Sequence, residues 1–160
     1  MITVIIPYAQ GEPIGKPPVG DETLWITDEN LGIGEKRIKG AKMARFEWLV
    51  MADSDGYYPD DYIPKIKRAI LSGKYPKGFF TVREGGILHR SKLESGLVVR
   101  KDVFLERVKS FEPDHRRDVW GLFNDLPVVE HIRYYHGLTE SEKKHLALAG
   151  MFLLLLFGGK

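Results

Sequence analysis

The sequence predicts an α/β protein that forms a single domain. Short β-branched or apolar runs recur between residues 2 and 134, and segments with helical three- and four-residue periodicity lie between them. The chain has 160 residues, of which 43% are hydrophobic. This length and composition are sufficient for one hydrophobic core.

The predicted elements follow the chain in order. The first strand is a β-branched run, Ile2 to Ile6, closed by Pro7. Residues 9–23 are rich in Gly and Pro and show no helical periodicity. The patterns predict further strands at 24–27, 48–52, 79–82, 96–99 and 128–134, a turn at Gly85-Gly86, and helices at 34–47, 62–70, 102–108 (capped by Asp102) and 116–123.

Composition excludes several classes of protein. The net charge of +2 is too small to indicate a nucleic-acid partner, and none is expected. The absence of cysteine excludes disulfides and thiolate metal sites. The amino end has no basic region followed by a cleavage site, so no signal peptide is predicted. We therefore expect a cytoplasmic protein.

Two carboxylates follow an apolar run of strand length. Asp53 and Asp55 come directly after the run from Trp48 to Ala52 and are separated by one residue. The carboxyl edge of the sheet is where open α/β folds bind ligands. Alternate side chains of an extended chain share a face, so the two carboxylates can converge on one point. Such hard oxygen ligands suit Mg²⁺ or Mn²⁺ bridging phosphates.

The same segment has other interpretations. Asp53 to Gly56 has the composition of a solvated turn. An apolar strand ending in Asp-x-Asp-Gly also resembles the nucleophile motif of haloacid-dehalogenase-type phosphatases, although there the motif lies on the first strand. A phosphate-binding P-loop at 11–16 is excluded, because the loop is one residue short and two prolines follow it.

Residues 139–160 are predicted as a C-terminal apolar helix outside the main domain, which covers residues 1–138. Thr139 and Glu142 have the spacing of a capping box, and two lysines precede an apolar stretch at 146–157. The stretch is shorter than the ~20 residues needed to span a bilayer. The helix is expected to dock on the core, to form an oligomer contact, or to lie peripherally at a membrane surface.

The segment from Asn30 to Gly56 resembles the family 2 glycosyltransferases with the GT-A fold. Their pattern is Asn-x-Gly, then Ala-Arg-Asn-x-Gly, a helix, and an apolar strand that ends in Asp-x-Asp. The residues that match it without a gap are Asn30, Gly32, Arg37, Gly40, Ala44, Asp53 and Asp55. The resemblance extends over residues 1–8 and 24–136. It implies a single GT-A-like, Rossmann-like domain of the α/β class, with a mostly parallel mixed sheet flanked by helices.

The resemblance implies a metal-dependent inverting glycosyltransferase. Such an enzyme moves a sugar from a nucleotide-diphosphate donor, a UDP- or GDP-sugar, to an acceptor hydroxyl. The residues that it assigns are Pro7, Tyr8, Arg37 and Asp53 for the nucleotide, Asp53, Asp55 and His136 for Mn²⁺ or Mg²⁺, and Asp118 as the general base.

Each assignment has a structural alternative. Arg37 lies in a basic run typical of a solvated helix face. Asp118 has the setting of a surface carboxylate paired with a neighbouring arginine. His136 and, more so, His131 follow a strand, where histidine commonly has a structural role.

The chain also departs from the family pattern. Residues 9–23 are too short for the helix, second strand and Asp-rich loop of the family, which leaves Asp21 as the candidate for recognising the base. Ile38 replaces the usual Asn, and Arg117 replaces the first of two acids. The sequence therefore indicates a minimal or pruned member, with a non-catalytic nucleotide-binding GT-A module as the alternative.

Overall fold

The computed structural model describes residues 1–85, 96–114, 117–137 and 140–158, with the backbone alone at 140–142. The strands are β1 (Ile2–Pro7), β2 (Glu22–Ile26), β3 (Trp48–Met51), β4 (Gly78–Glu84), β5 (Leu97–Arg100) and β6 (Val128–Tyr135). The helices are α1 (Ile33–Met43), α2 (Tyr62–Leu71), α3 (Lys101–Arg107) and α4 (Glu140–Phe157). Short 3₁₀ helices lie at Val108–Ser110 and Val119–Phe123.

The strands form one sheet in the order β2-β1-β3-β5-β4-β6. β5 is antiparallel to both of its neighbours, and the other neighbouring pairs are parallel. This arrangement confirms the predicted mostly parallel mixed sheet flanked by helices. The carboxyl ends of β1, β3, β4 and β6 consequently lie at the same edge of the sheet.

Both faces of the sheet are buried, as the continuous apolar strands predict. Val4 of β1 and Val50 of β3 belong to the core beneath α2. Ile5 and Met51, one residue further along each strand, belong to the core beneath α1 and α3. Helix α1 packs closely on this second face because Gly40 has no side chain, and a Cβ there would lie 2.5 Å from Cγ2 of Ile5.

Three details of the prediction are wrong. Helix α1 ends at Met43 rather than at residue 47. Asp102 lies inside the first turn of α3 and is not its cap. The predicted helix at 116–123 is a 3₁₀ helix that begins at Val119, with Asp118 as its cap. Gly86, Arg116 and Thr139 lie outside the described residues and the side chain of Glu142 is not described, so the predicted turn and capping box stay predictions.

The short segment between β1 and β2 packs on the loop after β3. The backbone N–H groups of Gly15 and Lys16 donate to the carbonyls of Ser54 and Gly56, both at 2.9 Å. The region that is too short for the family pattern thus supports the Asp-x-Asp loop directly.

Asp21 lies at the opposite edge of the sheet, so its assignment to base recognition is wrong. One of its carboxylate oxygens accepts a 2.8 Å hydrogen bond from the backbone N–H of Ile2, at the amino end of β1. The other forms a 2.8 Å ion pair with Lys67. Asp21 therefore joins β1 to α2.

Helix α4 does not pack on the sheet. Every residue from Lys143 to Gly158 is exposed, including Leu154 at 72% and Phe157 at 78%. The docked alternative is therefore not what the structure shows, whereas the boundary at residue 138 stays a prediction. Within the described part of the chain, no helix combines the length and apolarity required for a membrane crossing.

Candidate active site

A cavity of about 440 Å³ lies at the carboxyl edge of the sheet. Strand ends line it: Pro7 at the end of β1, Asp53, Ser54 and Asp55 after β3, Arg83 near the end of β4, and His136 after β6. Glu12, Pro13, Ile33 and Lys143 line it as well. Parallel strand ends meet here, so residues distant in sequence converge on one cavity. Its volume falls in the range of small-ligand pockets.

Asp55 and His136 form a direct contact in this cavity. Nε2 of His136 lies 2.8 Å from Oδ1 of Asp55, and its Nδ1 lies 2.8 Å from the carbonyl of Gly137. The hydrogen bond from His136 lowers the pKa of Asp55, and the same bond raises the pKa of His136. The structure thus brings together two residues that the family resemblance assigns to the metal.

The His136 environment fits a cation between the two side chains. Because the Gly137 carbonyl can only accept, Nδ1 carries a proton, and Nε2 faces a carboxylate. This arrangement requires either a second proton on the ring or a positive ion next to Nε2. Metal-binding histidines typically donate their other N–H to such a carbonyl. Carboxylate oxygens are ligands that both Mg²⁺ and Mn²⁺ accept.

Asp53 does not complete a three-residue metal cluster. Oδ1 of Asp53 lies 3.1 Å from Nη2 of Arg37. In residues 1–85, 96–114, 117–137 and 140–158, no three His, Asp or Glu side chains are grouped so that they could hold a metal ion. The predicted set of Asp53, Asp55 and His136 is therefore brought to one cavity, but only Asp55 and His136 contact each other.

Arg37 is buried between two carboxylates. Its side chain is 1% exposed, and its Nε donates to Oδ1 of Asp118 at 2.9 Å while Nη2 reaches Asp53. The guanidinium carbon lies 4.3 Å from the ring centroid of Trp120. Burial by itself lowers the pKa of Arg37, but the two negative charges outweigh it and raise the pKa above its ordinary value.

This position contradicts one interpretation of Arg37. It is not a solvated helix cation, because it is almost fully buried. Arg37 does not line the main cavity, and its assignment to the nucleotide stays a prediction. Arg37 forms ion pairs with Asp53, which lines the cavity, and with Asp118, which does not.

Asp118 accepts hydrogen bonds from two groups of the described part of the chain. Its Oδ1 accepts from the backbone N–H of Val119 at 2.7 Å as well as from Arg37. Its side chain is 16% exposed and lines neither cavity. Its arginine partner among the described residues is Arg37, 81 residues away in sequence. Arg116 lies outside the described residues, so the pairing with a neighbouring arginine stays a prediction.

A second cavity, of about 310 Å³, adjoins the first and shares Pro7 with it. Tyr8 and Lys36 line it. Lys36 is buried and its Nζ donates to the carbonyl of Tyr8 at 2.7 Å. Pro7 and Tyr8, which the resemblance assigns to the nucleotide, therefore lie side by side at the sheet edge.

Buried tyrosines pack against the Asp-x-Asp loop and hydrogen-bond to it. The backbone N–H of Asp53 donates to the hydroxyl of Tyr58 at 2.9 Å. The ring of Tyr58 stacks on that of Tyr134, with centroids 4.5 Å apart. Burial raises the pKa of both hydroxyls well above the ordinary value, so they stay protonated. Asp53 is thus positioned by β6 as well as by its own strand.

Five charged residues of the two cavities were not predicted as site residues from the sequence: Glu12, Glu29, Lys36, Arg83 and Lys143. A signal existed for Arg83, since it is a charge at the end of an otherwise apolar strand. Lys36 could not be distinguished from the other basic residues of the same helix. His131, in contrast, is exposed and lines neither of the two cavities.

We expect Gly34→Ala to destabilise the protein by ~1–3 kcal/mol, because overpacking a close contact costs this much. A Cβ at Gly34 would lie 2.5 Å from Cζ of Phe111 and 2.8 Å from the carbonyl oxygen of Arg117. Urea denaturation measures the loss. Gly121→Ala is the matched control, since nothing lies within 4 Å of its Cβ. Equal stability of the two variants would show that α1 does not pack tightly on the Asp118 segment.

A mostly parallel sheet with Asp-x-Asp and a ligand-sized cavity at its carboxyl edge defines an α/β ligand-binding domain. The family model described as glycosyl transferase family 2 matches residues 24–125. The chain therefore belongs to glycosyl transferase family 2. A search of curated proteins found no match. The haloacid-dehalogenase alternative is wrong, because its motif belongs on the first strand and here it follows β3.

Two solved structures of TarS from S. aureus are similar to the chain. The crystal structure of TarS 1-349 has a TM-score of 0.52 and 13% identity, covering 85% of this chain and 60% of TarS 1-349. The crystal structure of TarS has a TM-score of 0.50 and 14% identity, covering 96% of this chain and 39% of TarS. At this identity the likeness concerns the fold, which is GT-A-like. The chain thus spans less than two thirds of either structure.

Proposed function

We propose that this chain is a metal-dependent inverting glycosyltransferase domain that uses a nucleotide-diphosphate sugar, a UDP- or GDP-sugar. The observation that carries the proposal is the charge pattern of the main cavity. Asp53 and Asp55 face the same space as Arg83 and Lys143. Cations that contact a diphosphate, next to carboxylates that can hold a divalent ion, suit this class of donor.

The two adjoining cavities divide the donor between them. The nucleoside fits against Pro7 and Tyr8, where Lys36 supplies a nearby positive charge. The diphosphate fits in the main cavity, where Arg83 is 8% exposed and therefore held in place. A preorganised cation of this kind stabilises the charge that develops on the leaving group without reorganisation.

Mn²⁺ or Mg²⁺ is the implied cofactor, and Asp55 and His136 are the residues that would hold it, with Asp53 nearby. When bound, the ion supplies positive charge at the leaving diphosphate. It would also offset the repulsion between the donor and the carboxylates of Asp53, Asp55 and Glu12, which line the same cavity.

Asp118 is the proposed general base that accepts the proton of the acceptor hydroxyl. The hydroxyl oxygen then attacks the anomeric carbon as the bond to the diphosphate breaks, which inverts the configuration. From the described residues, Oδ2 of Asp118 accepts one hydrogen bond, from Nε of Arg37 at 3.1 Å, so it retains capacity for a proton. Arg37 is a positioning residue, because it holds Asp118 at a fixed place relative to Asp53.

A non-catalytic nucleotide-binding module is the second candidate, and one observation favours it. Asp118 lines neither cavity and is already bonded to Arg37 and Val119. Release of UDP or GDP from a nucleotide-sugar donor in the presence of Mn²⁺ supports the enzyme. Nucleotide binding without such release supports the module.

Asp55→Ala is expected to abolish the Mn²⁺-dependent increase in melting temperature that UDP or GDP produces. A ligand that binds the folded state raises its stability, and the variant lacks a proposed metal ligand. Thermal-shift measurements with and without Mn²⁺ test this. Asp61→Ala, at an exposed carboxylate at the start of α2, is the control and retains the shift. An undiminished shift in Asp55→Ala would exclude Asp55 as a ligand.

A further inference from the structure

Helix α4 exposes a large, continuous apolar surface to solvent. Seven large apolar side chains follow one another from Met151 to Phe157, each between 55% and 81% exposed. Contiguous exposed apolar surface of this kind marks an interaction site. Seven consecutive residues make almost two helical turns, so the apolar surface surrounds the helix on all sides.

The apolar side chains are distributed all around the helix axis, and this limits which kind of partner can cover them. A helix that docks on a sheet, or that pairs with helix α4 of a second copy of the chain, has a single stripe of its surface covered. Leu153, Leu154 and Leu155 point in three different directions, because successive residues are about 100° apart. Only an occupant that surrounds the helix removes all three from water, and lipid acyl chains do so.

Length and charge agree with this occupant. The apolar stretch at 146–157 is about 18 Å long at 1.5 Å per residue, close to the ~15 Å depth of one leaflet. Lys143, Lys144 and His145 directly precede it, and the sequence from 143 to 158 contains no acid. Glu142 directly precedes Lys143, and Glu140 lies three residues before it, so both acids are further from the apolar stretch than the lysines. Basic residues at this point suit anionic headgroups.

We propose that α4 inserts into one leaflet of a membrane with anionic headgroups. Lys143 lines the main cavity together with Asp55 and His136. The apolar stretch begins three residues later, about 4.5 Å along the helix axis. Insertion therefore holds the mouth of this cavity at the level of the headgroups. This inference goes beyond the proposed function, since membrane binding is measured without turnover.

The experiment is co-sedimentation of the full chain with two kinds of vesicle. One contains phosphatidylcholine alone, and the other also contains phosphatidylglycerol. We expect binding to both, stronger to the anionic vesicles and weakened there by salt, because salt screens the lysines. Lys144→Glu is expected to reduce the preference for anionic vesicles without removing binding to neutral ones.

Leu154→Asp separates insertion of the helix from adsorption through the lysines alone. It is expected to lower the vesicle partition coefficient about tenfold or more, since it replaces a lipid-buried leucine with a charge. Leu71→Asp is the matched control, because Leu71 is 84% exposed on α2 and its replacement leaves partitioning unchanged. Equal partitioning of these two variants overturns the proposal. So does a full chain that stays in the supernatant, whether monomeric or as an oligomer by light scattering.

Discussion

Asp118→Asn is expected to lower the rate of sugar transfer by ~10²–10⁴, the usual contribution of a general base. Asparagine keeps the size of the side chain and its ability to accept from Arg37, but it cannot take the proton of the acceptor hydroxyl. The dissociation constant of the nucleotide is expected to change little, because Asp118 lines neither cavity. Steady-state kinetics and nucleotide titration measure the two quantities.

The structure makes a control necessary, since Asp118 is also the partner of a buried arginine. The rate must be normalised to the folded fraction by circular dichroism. Glu112→Gln and Asp114→Asn are the comparison variants, because these are the next acids in the segment. If Asp118→Asn transfers at a near-normal rate and one of the others does not, the base is that other residue.

Arg37→Met is expected to lower the free energy of unfolding by ~3–5 kcal/mol, because this is the usual cost of removing one partner of a buried ion pair. The substitution leaves Asp118 and Asp53 close together without the positive charge between them. It also removes the stacking on Trp120. The midpoint of urea denaturation is expected to fall with an unchanged slope, since the buried surface is nearly the same.

Arg45→Met is the control for this effect. Arg45 forms a 2.8 Å ion pair with Glu22, but its side chain is 72% exposed, so the loss is expected to be at most ~1 kcal/mol. A second test combines Arg37→Met with Asp118→Asn, which relieves part of the loss if the unpaired charge causes it. If Arg37→Met and Arg45→Met lose the same free energy, the buried pair does not contribute as its geometry suggests.

Local sequence patterns predicted most of the fold correctly. Strands β1 and β3 were predicted because β-branched or apolar runs of strand length end at Pro7 and Asp53. Such signals lie within a few residues of each other, so the sequence shows them directly. The 3₁₀ helix from Val119 was harder to predict, because its start depends on the Asp118 side chain capping it and on contact with α1.

The site was predictable where spacing alone places residues together. Asp53 and Asp55 lie on the same loop, separated by one residue, and both line the main cavity. The burial of Arg37 was not predicted, because burial of a charge depends on partners far along the chain, here Asp118. The convergence of His136 with Asp55 likewise depends on β6 lying in the sheet so that its carboxyl end meets that of β3.

The sequence by itself determined the elements, the Asp-x-Asp loop and the resemblance to family 2 glycosyltransferases, since each depends on residues close in sequence or on an ungapped pattern. It also determined that α4 is apolar at 146–157. The tertiary structure alone decided that Arg37 is buried between Asp53 and Asp118, that Asp21 lies at the opposite edge, and that α4 remains exposed. These outcomes depend on the order of strands in the sheet and on which surfaces remain uncovered, and neither quantity is encoded within any short segment.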